Sequence, residues 1–125
     1  MNEYKLIVAG GRDFTDAALL ERVLIAMADT EFADKSVSIV SGMARGADAL
    51  AYQFAHKNGI TCYEFFANWN KHGKKAGFMR NEEMGIAADG LLAFWDGESR
   101  GTKHMIDFMV KLNKPVTVVE YSTSE

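Results

Sequence analysis

An alternation of short apolar runs with helical repeats constrains this chain more than any other feature. Five runs, at residues 5–9, 37–40, 61–66, 91–95 and 116–119, are nearly all apolar, β-branched or aromatic. Runs of that kind suit strands buried on both faces, as in a parallel sheet. Between the first two, Leu20, Val23, Leu24 and Met27 recur at helical spacing, and Thr15 or Asp13 is the expected N-cap. Between the second and third, Ala47, Leu50, Ala51, Phe54 and Ala55 share one helical face, small enough to sit close to a sheet, and Gly59 follows as a stop. A third helix is expected over 78–88, and a fourth around Ile106, Met109 and Val110 with Thr102 as its cap. Residues 68–77, polar and basic with one tryptophan, read as a loop, and the lone proline, Pro115, opens the last strand. The order βαβαβαβαβ gives an α/β fold, a doubly wound five-stranded parallel sheet covered on both sides. Right-handed crossovers put its strands in the order 3-2-1-4-5. Strands 1 and 4 then lie side by side at the switch point, where ligands of such sheets bind beyond the strand C-termini.

Length and composition bound the rest. A chain of 125 residues is expected to form a single domain over 1–125, with 121–125 as a frayed tail. The single Cys62 cannot form an internal disulfide and fits a reducing compartment; in a strand it reads as packing rather than as a nucleophile. No leader is visible at the start and no apolar run approaches membrane-spanning length, so the expected location is cytoplasmic, with no membrane partner. A net charge of −3 argues against a general nucleic-acid binder.

Against that acidic background, the cations gather at one place. Three glycine-bearing turns follow strands 1, 2 and 4: Gly10-Gly11-Arg12, Ser41-Gly42-Met43-Ala44-Arg45-Gly46-Ala47-Asp48, and Asp96-Gly97-Glu98-Ser99-Arg100-Gly101-Thr102. All three should open at the same sheet edge. Arg12, Arg45, Lys71, Lys74, Lys75, Arg80, Arg100 and Lys103 fall in the loops there or in the first turns after them, although the three lysines of 71–75 individually read as surface. Helix N-termini with unpaired amides, together with arginine, suit an anion such as phosphate. Trp95 or Trp69 offers a stacking surface for a base, and Asp48 reads first as a brace for its loop through Arg45. Residues 97–103 lack the Gly-Lys-Ser/Thr ending of a P-loop, no Gly-x-Gly-x-x-Gly follows strand 1, and no Gly-x-Ser-x-Gly elbow is present. His56, His72 and His104 show no ligand spacing with Cys62, so no metal is expected; no cofactor is expected either.

These turns, with Asp13-Phe14, Ala76-Gly77-Phe78-Met79-Arg80-Asn81, Ala88-Asp89 and Phe94-Trp95, together resemble the SLOG superfamily, and within it the small YspA/YpsA-related proteins also found in phages. The resemblance runs over nearly the whole chain. It implies a Rossmann-like fold that binds or senses a phosphorylated nucleotide or a nucleotide-derived small molecule. Relatives include cytokinin-activating phosphoribohydrolases of the LOG type, ligand-sensing domains of antiphage defence, and the DNA-processing protein DprA. The residues expected at the ligand are Gly10, Gly11, Arg12, Ser41, Gly42, Arg45, Gly46, Asp48, Arg80, Asn81, Trp95, Gly101 and Thr102. In that arrangement the Gly42 and Gly46 backbone, Arg45 and the Gly101-Thr102 helix start hold phosphate, and Trp95 flanks sugar or base.

The hydrolases carry Pro-Gly-Gly-x-Gly-Thr-x-x-Glu. Here Gly101-Thr102 matches, the Pro-Gly-Gly portion does not, and Met105 stands where the catalytic glutamate would be. Methionine transfers no proton, so hydrolysis by the family's route is not expected; Glu82 or Glu83 is the substitute carboxylate if an N-glycosidic hydrolase or transferase activity exists. A third alternative is DprA-like binding of single-stranded DNA through Trp69 and the 71–75 lysines. Superfamily members often pair, which makes the helix over 78–88 a candidate homo-oligomer interface.

Overall fold

A computed structural model describes residues 2–122 and contains a single sheet. The elements in chain order are β1 (Asn2–Gly10), α1 (Ala17–Asp29), β2 (Lys35–Ser41), α2 (Ala47–Lys57), β3 (Cys62–Glu64), α3 (Trp69–His72), α4 (Ala76–Ala87), β4 (Gly90–Trp95), α5 (Arg100–Lys111) and β5 (Val116–Glu120), with a 3₁₀ turn at Gly73–Lys75 joining α3 to α4. The sheet order is β3-β2-β1-β4-β5, all parallel. This is the doubly wound, Rossmann-like order expected from the alternation. Central β1 pairs Leu6 with Ile39 of β2 on one side and with Gly90 of β4 on the other.

Strand alternation divides the core in two. Leu6, Val8, Ile39, Leu92 and Phe94 face α1 and α2, meeting Leu20, Leu24 and Met27 of the first and Ala47, Ala51 and Ala55 of the second. Ile7, Ala9, Val40, Leu91 and Ala93 face the other way, against Met84 of α4 and Met105 and Met109 of α5. The alanine face of α2 is fully buried, and a side chain on Gly10 would lie 2.7 Å from Ala47 Cβ and 2.6 Å from the Phe94 carbonyl. Small residues on both surfaces therefore bring α2 down onto the end of β1.

Several local expectations are corrected. The N-cap of α1 is Asp16, whose carboxylate accepts the Leu19 amide, and neither Thr15 nor Asp13 fills that role. Ser99 caps α5, accepting the amide of Thr102, the residue expected to be the cap. Residues 68–77 are mostly helical: Asn68 accepts the Lys71 amide and starts α3, and α4 begins at Ala76, not 78. Capping by asparagine nucleates a turn in a stretch whose polarity alone suggests a loop. Strand β3 spans three residues, shorter than the 61–66 run; at the sheet edge only one neighbour holds it. Tyr121, expected in the frayed tail, packs edge-on against Phe14, donates its hydroxyl to Asp13 at 2.7 Å and its amide to the Trp95 carbonyl. Residues 123–125 of that tail lie outside the described residues.

Candidate functional site

The turns after β1, β2 and β4 meet at the C-terminal edge of the sheet. Gly46 adopts φ +85°, and a Cβ there would collide with the Gly11 carbonyl and sit 2.7 Å from Arg12 Cα, so the β2 turn lies directly against the β1 turn. The contact is closed by main chain: the Ala47 amide, first of α2, donates to the Gly11 carbonyl at 3.3 Å. The Met43 amide is taken by Ser41 Oγ and the Ala44 amide by Asp48. The Met43, Ala44 and Ala47 amides thus hold the turns together, and Gly46 permits their close approach.

Arg80 of α4 provides the charge. Its Nη1 donates to the Gly42 carbonyl at 2.7 Å and its Nε to Asn81 Oδ1 at 3.2 Å. Asp48 lies beneath it, buried, accepting from the amides of Ala44 and Gly10. Arg80, from a helix remote in sequence, is the cation whose charge acts most on Asp48, and it ties down the loop at the Gly42 carbonyl. Burial raises the Asp48 carboxyl to about 6, against the opposing pull of Arg80. Burial also lowers the Arg80 pKa, partly offset by Asp48, with the neighbouring charge of Arg12 pushing the same way as burial. Two guanidinium groups thus act on each other over one carboxylate that is costly to ionise.

Asn81, 5% exposed, ties this group to α5: its Nδ2 donates to the Gly101 carbonyl at 3.1 Å and approaches His104 Nδ1 at 3.2 Å. The turn before α5 is held by Asp96 Oδ1, which accepts the Glu98 and Ser99 amides, each at 2.8 Å; these bonds draw its pKa down. Trp95 Nε1 donates to the Ser99 carbonyl, so the indole braces the same turn.

Together the loops enclose a cavity of about 730 Å³, within the range of small-molecule sites. Of the residues expected at a ligand, Gly10, Gly11, Arg12, Arg45, Asp48, Arg80, Asn81, Gly101 and Thr102 line it. Ser41, Gly42, Gly46 and Trp95 do not; Ser41 Oγ, the Gly42 carbonyl and the Trp95 indole N–H are bonded within the protein. The sequence reading missed Asp13, Asp96, Phe78 and Met84, and treated Lys74 as surface; all five line the cavity. Trp69 also lines it, half exposed, with the Arg12 guanidinium 6.0 Å from its ring centre. Asp13 and Asp96 were legible as the polar residues flanking two glycine turns. Trp69 and Lys74 required knowing that 68–77 coils back over the edge.

Met105 is buried in the cavity wall. Glu82 and Glu83 are exposed and outside the lining, Glu82 lying 3.6 Å from His104 Nε2. Cys62 packs against the first core cluster, and burial raises its pKa, which keeps it a thiol. Among the described residues no group of three or more His, Cys, Asp and Glu is placed to hold a metal ion, and no helix is long and apolar enough to cross a membrane.

A doubly wound parallel sheet with a cation-lined cavity at its switch point places the molecule among the Rossmann-like α/β proteins. More narrowly, the chain belongs to the YspA, cpYpsA-related SLOG family, which it matches over residues 4–72. It is 44% identical to the Gene 61 protein of Mycobacterium phage D29 over 84 residues, 62% of this chain and 67% of that protein. It is 28% identical over 109 residues to the bifunctional enzyme IspD/IspF of Rhodospirillum rubrum, 81% of this chain but 28% of that enzyme. Its fold superposes on DNA processing protein A (DprA) from Streptococcus pneumoniae with a TM-score of 0.76 and 19% identity, covering 98% of this chain and 52% of that one. The chain thus spans about half of DprA and under a third of the enzyme. Membership of this family supports a nucleotide-related binding role in general terms.

Proposed function

We propose that the cavity binds a phosphorylated nucleotide or nucleotide-derived small molecule, with the phosphate at Arg80, Arg12 and Arg45. The observation that carries this reading is the Arg80 guanidinium, fixed on the Gly42 carbonyl and Asn81 and set against Arg12 over a reluctant carboxylate. Such a pair is pre-organised for an anion, which would relieve the repulsion between the two arginines. Trp69 lines the cavity and Trp95 does not, so Trp69 is the aromatic surface offered to a base.

Hydrolysis has weaker support. Met105 occupies the position of the family's glutamate, and Glu82 and Glu83 lie outside the cavity. Binding of single-stranded DNA draws support from a different surface, the exposed Trp69, Lys71, Lys74 and Lys75 around α3, together with the DprA-like fold.

The test is a thermal-shift and calorimetric screen with AMP, ADP-ribose and cyclic nucleotides. At a hundredfold excess over Kd, a ligand of the folded state should raise Tm by roughly 10 °C. Arg80→Ala and Arg45→Ala should abolish the shift. No response to any of these compounds, alongside salt-sensitive oligonucleotide binding, would replace this reading with the DNA one.

A further inference from the structure

The cavity is chemically two-ended. Arg45, Arg80, Arg12 and Trp69 gather on its β2 side, Arg80 anchored on the carbonyl that follows β2 and Arg12 facing Trp69 beyond β3. Asp13 is tied to the residue that follows β5: the Tyr121 hydroxyl donates to its Oδ1 at 2.7 Å. Asp96, at the end of β4, lines the same cavity, and its charge also acts on Tyr121. Tyr121 is itself fixed by its amide bond to Trp95 and its edge contact with Phe14, and Phe14 stacks on Phe94 in the core.

The chemistry of this second end is restrictive. An ionised carboxylate only accepts hydrogen bonds, with about four lone-pair sites over its two oxygens. Tyr121 occupies one site on Asp13 Oδ1. Burial and the adjacent carboxylates raise the Tyr121 pKa, so the phenol keeps its proton and stays the donor. Asp13 is therefore held in one orientation with acceptor capacity left over, while Asp96 Oδ1 is committed to its own turn. Carboxylates repel phosphate and attract hydroxyl donors.

We infer that this cavity selects a ribonucleotide over a 2′-deoxyribonucleotide: the phosphate lies at the arginines and the sugar hydroxyls donate to Asp13, which Tyr121 positions. The inference rests on the proposed nucleotide reading and adds the sugar to it. A site built to accept a hydroxyl discriminates against the analogue that lacks it, because its own acceptor is left unpaired. It also sets this cavity apart from one that reads DNA.

The experiment is isothermal calorimetry of the intact chain with the four ribonucleoside 5′-monophosphates and their 2′-deoxy counterparts. The wild-type protein should favour the ribo form about tenfold or more, the value of a hydrogen bond to a charged group. Asp13→Asn keeps an acceptor for Tyr121 but halves the carboxylate's capacity; it should weaken ribonucleotide binding and bring the ratio near one. Tyr121→Phe leaves Asp13 charged but unpositioned and should give an intermediate ratio, an effect that general destabilisation would not produce. Folding of each variant is checked by circular dichroism. Equal wild-type affinity for ribo and deoxy forms, or an Asp13→Asn variant that weakens both alike, overturns this inference and leaves the phosphate reading standing. Absence of monophosphate binding overturns the inference as well, and the Arg80→Ala and Arg45→Ala screen then decides separately whether the cavity takes nucleotide-derived anions at all.

Discussion

At Asp48 the molecule holds a carboxylate where ionisation is expensive. Its folded pKa, raised by burial to about 6 from a reference of 3.8, means the native state binds the proton more tightly than the unfolded chain does. The associated stability is fully present below pH 3.8 and is lost as pH rises through 6. The difference corresponds to about 3 kcal/mol. Asp48→Asn removes this titration. In urea unfolding, the wild-type protein should lose up to about 3 kcal/mol relative to the variant between pH 4 and pH 7. A pH-independent difference between the two would show that the carboxyl is not held protonated by its surroundings. An anion bound at Arg80 should favour the protonated form further, so ligand affinity should fall as pH rises past 6.

At the scale of elements, α4 carries most of the weight. It supplies Arg80 and Asn81 to the cavity and Met84 to the core, and its C-terminus is closed from a distance: Lys114 Nζ donates to the carbonyls of Gly85, Ile86 and Ala88 at 2.8, 3.1 and 2.7 Å. An ammonium at a helix C-terminus satisfies orphan carbonyls and opposes the negative end of the dipole. Lys114→Met keeps the stem and removes the charge, and should cost about 1–2 kcal/mol in chemical denaturation. Nothing in Asn113-Lys114-Pro115 marks that lysine as the cap of a helix that ends at residue 87. The start of α3 is a similar case: the Asn68 cap was present in the sequence, but the polarity of its neighbours pointed to a loop.

Across the whole molecule, stability should be graded along the sheet. β1 and β4 are buried on both faces and flanked by strands on both sides, whereas β3 is a three-residue edge and α3 has no buried residue. Native-state hydrogen exchange should therefore be slowest at Leu6 to Ala9 and Leu91 to Phe94, and fastest around α3 and β3. Protection at α3 matching that of β1 would contradict this gradient. A bound nucleotide should raise protection selectively at the three turns and at Trp69, since these surround the cavity.

The strand order and the two-layer core were legible because each depends on local, periodic properties: apolar runs of strand length, helical spacing, and the handedness that L-residues impose on every crossover. The arginines were legible as a group because they fall within a few residues of the same strand ends. Which of them meet was decided only in three dimensions. Arg80 lies 38 positions from the carbonyl it grips, and Tyr121 lies 108 from the aspartate it orients. The Ala47 amide at the start of α2 is bonded to the Gly11 carbonyl of another turn, a contact that no single stretch contains. Patterning along a chain sets which surfaces are apolar and therefore how the layers stack; the pairing of individual polar groups depends on angstrom-scale distances between segments, which exist only once the layers have packed.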